Sequence, residues 1–349
     1  MTTSYPGQSG PNIVEVARVA GVSRQTVSNA LNAPERLRPA TLEHVQKVID
    51  ELGYRPSQAA RALRTRAARQ IGYRVDPERP HSASALQDQF LHALAEAAQA
   101  DGYFLLLFTP RDTADELATY GELIRTGSVD GFVLSGIDPG DERPERLLGM
   151  KAPFVSFGRV DGGDGPQLWV DVDGASGTGA AVDHLVSQGH RRIAFLGMPD
   201  RSSPGRERAR GWREALARQR LQPGGLACAE DTVAAGTRAA SALLDLVPRP
   251  TAVVAATDTL ALGCYAAARE RGLRIGHELA VIGFDDSPTA ELVDPPLTSL
   301  RQPLPLIGQE LMRRLTGRLS GRDQVPSGLL LEPRLIVRAS SVPFGRQPV

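Results

Sequence analysis

From residue 71 onward the chain alternates short apolar runs with stretches of helical periodicity. The runs YFLLLF (103–108), GFVLSG (131–136), APFVSFG (152–158), IAFLG (193–197), AVVAAT (252–257) and LAVIGFD (279–285) read as buried strands. Between them, 90–101, 174–188, 208–219 and 260–271 carry apolar residues at helical spacing. Strands separated by helices of this length predict a parallel α/β sheet.

The first residues have another rhythm. Asn12 with Glu15 three positions on resembles a capping box, and Ile13, Val16, Ala17 and Ala20 then share one helical face. Gly21 ends that helix. Ser23 can cap a second one over 24–31, with Val27, Ala30 and Leu31 inward and Arg24, Gln25, Ser28 and Asn29 outward. A third helix over 41–52 aligns Val45, Val48, Ile49 and Leu52 before Gly53. Two short helices joined by a glycine turn form a helix-turn-helix. Ser23, Arg24, Gln25, Thr26, Ser28 and Asn29 then stand where a reader of the DNA major groove needs hydrogen-bonding groups. Arg24 has the bidentate geometry for guanine, and Gln25 for adenine.

Composition narrows the picture. The 349 residues suggest two or three domains, and 41% hydrophobic with 23% charged residues argues against wholesale disorder. No apolar run of about 18 residues occurs, and residues 1–11 lack a basic and apolar leader, so membrane-spanning and secreted readings fall. Cys228, Cys264 and the six scattered histidines form neither a disulfide framework nor a metal module. A cytoplasmic location without cofactor or metal is expected.

The formal charge of zero argues against a nucleic-acid partner only until it is divided. Residues 1–70 hold ten Lys/Arg against five Asp/Glu, a net of +5, which leaves 30 basic against 35 acidic residues and −5 for the rest. A basic head on an acidic body suits a small module that meets phosphate. The bland alternative is an arginine-rich codon bias, since Lys47 and Lys151 are the only lysines.

NIVEVARVAGVSRQTVSNALN, followed by ELGYRPSQAARALRTRAARQIG, resembles the DNA-binding head and hinge of the LacI/GalR-type repressor family. VDHLVSQGHRRIAFLG, PTAVVAATDTLALG, VIGFDDSPTAELVDPPLTSLRQP and LIVRASS resemble its regulatory body in the same order, so the likeness runs from about 12 to 341. It implies an all-α helix-turn-helix head at 12–56 after a disordered tail at 1–11, and a hinge helix and linker at 57–70. A periplasmic-binding-protein-like α/β body would follow, with one parallel-sheet lobe at 71–171 plus 300–330 and another at 172–299 plus 331–341. Residues 342–349 would be a tail, with no leucine heptad for tetramer formation.

The likeness adds Tyr54 at the end of the head and, in the hinge, Ala60, Arg61, Leu63 and Arg64 to the DNA contacts, with Leu63 as a minor-groove wedge. An apolar wedge unstacks a base step and kinks the duplex. The alternative is a buried interdomain leucine, but Arg61, Arg64, Arg66 and Arg69 surround Leu63 and no apolar stripe extends beyond it.

Ligands of such bodies lie at the carboxyl ends of strands. Asp285 matches the family's hydroxyl acceptor, whereas Asp286 suits a helix cap. Arg208 matches the arginine that clamps effector oxygens, its alternative being a solvated helix face beside Arg201, Arg206 and Arg210. Ser135 ends another strand. Elsewhere the pattern departs: Leu86 and Gln87 stand in the Asn-Pro-Phe-Phe segment, Gly158 replaces an aspartate, Thr257 an asparagine, and Asp231 or Thr232 the stacking aromatic. Losing that ring weakens the case for a sugar and admits a more polar or charged ligand.

GASGTGAAV (174–182) looks like a phosphate loop, but its third glycine is Val182 and no Walker lysine exists. His190 suits packing or a helix end. No nucleophile elbow or metal spacing supports an enzyme. The reading is therefore a sequence-specific repressor, a homodimer on a pseudopalindromic operator, controlled by a small sugar-related or other polar effector between the lobes. The alternative is a solute-binding module of transport type without a DNA role, which leaves residues 12–66 unexplained.

Overall fold

The computed structural model describes residues 11–54, 67–75, 84–159, 168–322 and 328–341. The chain divides into two compact units, residues 1–68 and 69–349.

In the first unit, Asn12 caps α1 (Ile13–Val19) by accepting the Val14 and Glu15 amides at 2.9 and 3.0 Å. Gly21, at φ +64°, makes the left-handed turn that a side chain would strain. The Ser23 hydroxyl caps α2 (Arg24–Asn32) by accepting the Thr26 amide at 3.1 Å. α3 spans Pro39–Leu52, starting before the expected residue 41 because proline is at home in a first helical turn, and it stops at left-handed Gly53. Val16, Ala17, Val27, Ala30, Val45 and Val48 form the core. His44 Nε2 lies 3.1 Å from the Ala20 carbonyl and ties α3 to the end of α1.

The second unit holds two six-stranded sheets. The first comprises β1 (Gln70–Arg74), β2 (Phe104–Phe108), β3 (Gly131–Leu134), β4 (Phe154–Phe157), β5 (Leu168–Val172) and β11 (Gly328–Leu331), in the order β11-β5-β4-β3-β1-β2 and parallel throughout. The second comprises β6 (Ile193–Gly197), β7 (Leu226–Cys228), β8 (Ala252–Ala255), β9 (Ala280–Asp285), β10 (Thr298–Arg301) and β12 (Arg334–Ile336), in the order β12-β10-β9-β8-β6-β7, with only β12 antiparallel. Each sheet therefore repeats a doubly wound order whose switch point falls between its first and third strands.

The chain changes sheet three times: from β5 into α7 (Gly174–Ser187), from β10 into α12 (Leu304–Leu319), and from β11 into β12. Along the first sheet run α4 (Ser84–Ala100), α5 (Thr113–Arg125) and α6 (Arg143–Gly149); α8 (Ser203–Arg218), α9 (Val233–Leu244), α10 (Asp258–Glu270) and α11 (Thr289–Leu292) follow strands of the second. α12 returns to pack on α4 and the first sheet. β1, β6, β8 and β9 carry fully buried Ile71, Phe195, Val253 and Ile282.

The glycines of 174–182 belong to a helix, not to a phosphate loop. A Cβ on Gly177 would lie 2.4 Å from Pro333 Cγ, and one on Gly211 of α8 would lie 2.1 Å from the Ala175 carbonyl oxygen. Gly211 lets α7 and α8 press together, and Gly177 lets α7 close on the segment before β12. Gly174 abuts the Arg208 side chain, where a Cβ would meet Cγ at 3.1 Å, so this packing also seats a candidate site residue.

Candidate functional site: a helix face and an interlobe cleft

On the head, Arg24 and Gln25 are exposed at the start of α2, with Ser28 and Asn29 partly exposed along it. Gln25 Nε2 donates to Asn29 Oδ1 at 3.0 Å, so two side chains read separately from the sequence are held as a pair. The Thr26 hydroxyl lies 2.9 Å from that of Ser23 and is occupied with the cap. Tyr54 packs against the head core. Ala60, Arg61, Leu63 and Arg64 lie outside the described residues.

In the body, strand ends of both sheets converge on a cleft of about 230 Å³. All eight expected effector residues line it: Leu86, Gln87, Ser135, Gly158, Arg208, Asp231, Thr257 and Asp285. Tyr73, Phe90, Phe157, Arg159, Asp171, Glu207 and Gln302 also line it and had no signal of their own in the sequence. Most sit within a residue or two of a strand's carboxyl end, where the doubly wound order directs ligands. Three rings repair the expected loss of an apolar platform. Phe90 lies 4.7 Å from Phe157 and 5.8 Å from Tyr73, centroid to centroid, so the first lobe supplies the apolar wall that position 231 lacks.

Arg208 is not on a solvated face. It is 7% exposed, lies 3.6 Å over the Phe284 ring and donates to the Ala256 carbonyl. Its guanidinium stands 3.7 Å from Asp285 Oδ1. Asp285, at φ +109°, accepts from Gln302 Nε2 at 2.6 Å. Backbone strain of this kind persists where the surroundings over-determine a functional group. Asp231 Oδ1 accepts from the Thr257 hydroxyl, which also caps α10. Thr232 caps α9 by accepting the Ala235 amide and is no ligand platform.

The electrostatics follow from burial. One guanidinium interacts with Asp285, Asp231, Asp171 and Asp258. Desolvation raises the Asp285 pKa, opposed by Arg208 and reinforced by Asp258 and Asp231. Burial pushes Asp171 up to about 6, although Arg159 lies 3.7 Å away. Buried carboxyl groups beside a guanidinium favour ligands that both donate and accept hydrogen bonds.

Asp286 does not cap the next helix. Its buried carboxylate accepts from Arg301 Nε at 2.5 Å and Arg338 Nη1 at 2.6 Å, and α11 has no side-chain cap. His190 packs, with Nδ1 3.0 Å from the Thr251 hydroxyl. Among the described residues no group of three metal-ligating side chains occurs, and no helix is long and apolar enough to cross a membrane.

A helical head bearing a groove-reading helix, joined in sequence to two doubly wound lobes around a ligand cleft, defines a ligand-responsive DNA-binding regulator. Residues 12–57 match the profile of bacterial regulatory proteins of the lacI family, and 182–341 match a periplasmic-binding-protein-like domain. The HTH-type transcriptional regulator CelR of Thermobifida fusca is 35% identical over 95% of this chain and 98% of its own length. The HTH-type transcriptional repressor CytR of Escherichia coli K12 is 30% identical over 96% and 97%. Among solved structures, a Lac repressor dimer bound to operator and the anti-inducer ONPF superposes with a TM-score of 0.82 at 27% identity, covering 96% of this chain and 100% of that one. A CelR–cellobiose complex does so at 0.72 and 32%, covering 95% and 99%. The chain belongs to the LacI family of bacterial transcriptional regulators.

Proposed function

We propose that this protein is a homodimeric repressor that binds a pseudopalindromic operator through Arg24, Gln25, Ser28 and Asn29, and that a neutral, hydroxyl-rich sugar in the interlobe cleft sets its DNA affinity. The observation that carries the reading is the cleft. Acceptors on Asp285, Asp231 and Asp171 lie around the buried guanidinium of Arg208, beside a wall made by Tyr73, Phe90 and Phe157. Such a site binds hydroxyls by their protons and a sugar face by its C–H surface. The CelR–cellobiose structure supports a sugar over a charged metabolite.

Two heads on one duplex require a dimer, because one recognition helix reads only a half-site. Ala60, Arg61, Leu63 and Arg64 complete the proposed contacts from the hinge, and Tyr54 supports the head from its core.

The test is fluorescence anisotropy of the purified chain on DNA taken from upstream of its own gene, with and without cellobiose and other neutral and phosphorylated sugars. Sequence-selective, salt-sensitive binding that shifts with a neutral sugar is expected. Arg24→Ala should weaken specific binding by about 1–3 kcal/mol and relax one base position. Binding without sequence preference, or binding that responds only to phosphorylated sugars, would overturn the reading.

A further inference from the structure

Two groups of the first lobe reach across the cleft and hold the same face of α8. Asp138, in the turn after β3, accepts the backbone N–H of Ser203 at 3.1 Å. Ser203 opens a 16-residue helix, so its amide has no partner within the helix and carries the positive end of the helix dipole. One turn further on, Arg159, just after β4, pairs with Glu207 at 3.1 Å, and both side chains are largely shielded from water at 17% and 30% exposure. Positions 203 and 207 are four apart and share a helix face.

The first-lobe ends of this grip are themselves braced. Arg159 lies 3.7 Å from Asp171 and over the Trp169 ring, 5.5 Å from its centroid. The turn that carries Asp138 is held by buried Arg143, which donates to the carbonyls of Ser135 and Gly136 at 3.0 and 2.9 Å and pairs with Asp141 at 2.6 Å. On the second lobe, Arg208 lies one residue beyond Glu207 and faces Asp285. Both contacts converge on the helix that presents Arg208.

We propose that Asp138 and Arg159 are positioning residues that latch α8 across the cleft, setting the resting balance between closed and open lobes and the placement of Arg208 before an effector arrives. The inference rests on the cleft being the effector site, since only then does lobe balance bear on ligand affinity. A ligand that binds the closed arrangement gains or loses apparent affinity in proportion to the fraction already closed.

The test needs neither DNA nor effector, so its failure is separable from failure of the proposed function. Hydrogen exchange followed by mass spectrometry is compared for the parent chain, Arg159→Gln, Glu207→Gln and Asp138→Ala, each ligand-free, with thermal melting alongside. Arg159 makes no contact with the Ser203 amide, yet releasing α8 should expose it. Exchange in the first turn of α8 should rise about three-fold in Arg159→Gln and equally in Glu207→Gln, with melting nearly unchanged. The double variant should rise by less than the sum of the two single ones, because they share the contact across the cleft, although Glu207 also pairs with Arg210 on its own helix at 2.8 Å. Glu207→Gln is nearly isosteric and keeps the test open if Arg159→Gln folds poorly. Unchanged first-turn exchange in folded Glu207→Gln, or additive effects in the double variant, would overturn the latch.

Discussion

At the residue scale, burial decides what each charged group does. Arg208 and Asp285 stand out in sequence because their surroundings match a family pattern, but their chemistry comes from neighbours far along the chain. Asp171 is the clearest case. It lies within an ordinary strand run, yet desolvation raises its pKa to about 6 from 3.8. A carboxyl raised on folding binds its proton more tightly in the native state. Its contribution to stability is therefore full below about pH 4 and drains away as pH rises through about 6. Asparagine mimics the protonated form. The melting temperature of Asp171→Asn relative to the parent should therefore increase from pH 5 to pH 7.5; a difference that is flat or falls with pH in calorimetry would contradict the assignment.

At the element scale, caps and close approaches explain the local order. Asn12, Ser23 and Gly53 mark helix ends in the head, and all three were legible because capping is a local signal. Replacing Ser23 by Ala should lower the stability of the head by about 1 kcal/mol in urea unfolding while leaving the body's transition in place. The glycines of 174–182 were legible as unusual but not for their purpose. Their partners are Arg208, Pro333 and Arg218, far along the chain, and no spacing rule names such partners. A methyl at Gly211 would collide with backbone, which cannot swing aside as a side-chain tip can. Gly211→Ala should cost about 1–3 kcal/mol in denaturant unfolding and displace Arg208 on the same helix. Wild-type stability in that variant would show that α7 and α8 have more room than their contact implies. Asp286 shows the converse error. A position after a strand and before a helix reads as a cap, but Arg301 and Arg338 claim its carboxylate from the neighbouring strand and the segment after β12.

At the scale of the whole molecule, function is a coupling between a DNA-reading unit and a ligand-binding one. Whatever factor the effector applies to DNA affinity, DNA must apply to effector affinity. Titrating the sugar in the presence and absence of saturating operator should return the same ratio as titrating operator with and without sugar. Unequal ratios at equilibrium would mean that the two ligands do not act through one shared pair of states. The charge division belongs here too. DNA affinity should fall steeply with salt because contacts to phosphate release counterions, whereas affinity for the proposed neutral sugar should barely change. Both follow from a +5 head on a −5 body, a division that the zero total conceals.

The sequence alone determined the helices of the head, the alternation of strand and helix in the body, the basic segment and the family, because periodicity, capping residues and motif order are local or are read in sequence order. It also placed Arg208 and Asp285 at the site through their family matches. Only the tertiary structure decided that Tyr73, Phe90, Phe157, Arg159, Asp171 and Gln302 join them, and that α8 is held from across the cleft. Those facts depend on two sheets turning their strand ends toward one another. Proximity between residues 65 positions apart, such as Asp138 and Ser203, and the dielectric around a buried carboxylate, are properties of packing that no window along the chain contains.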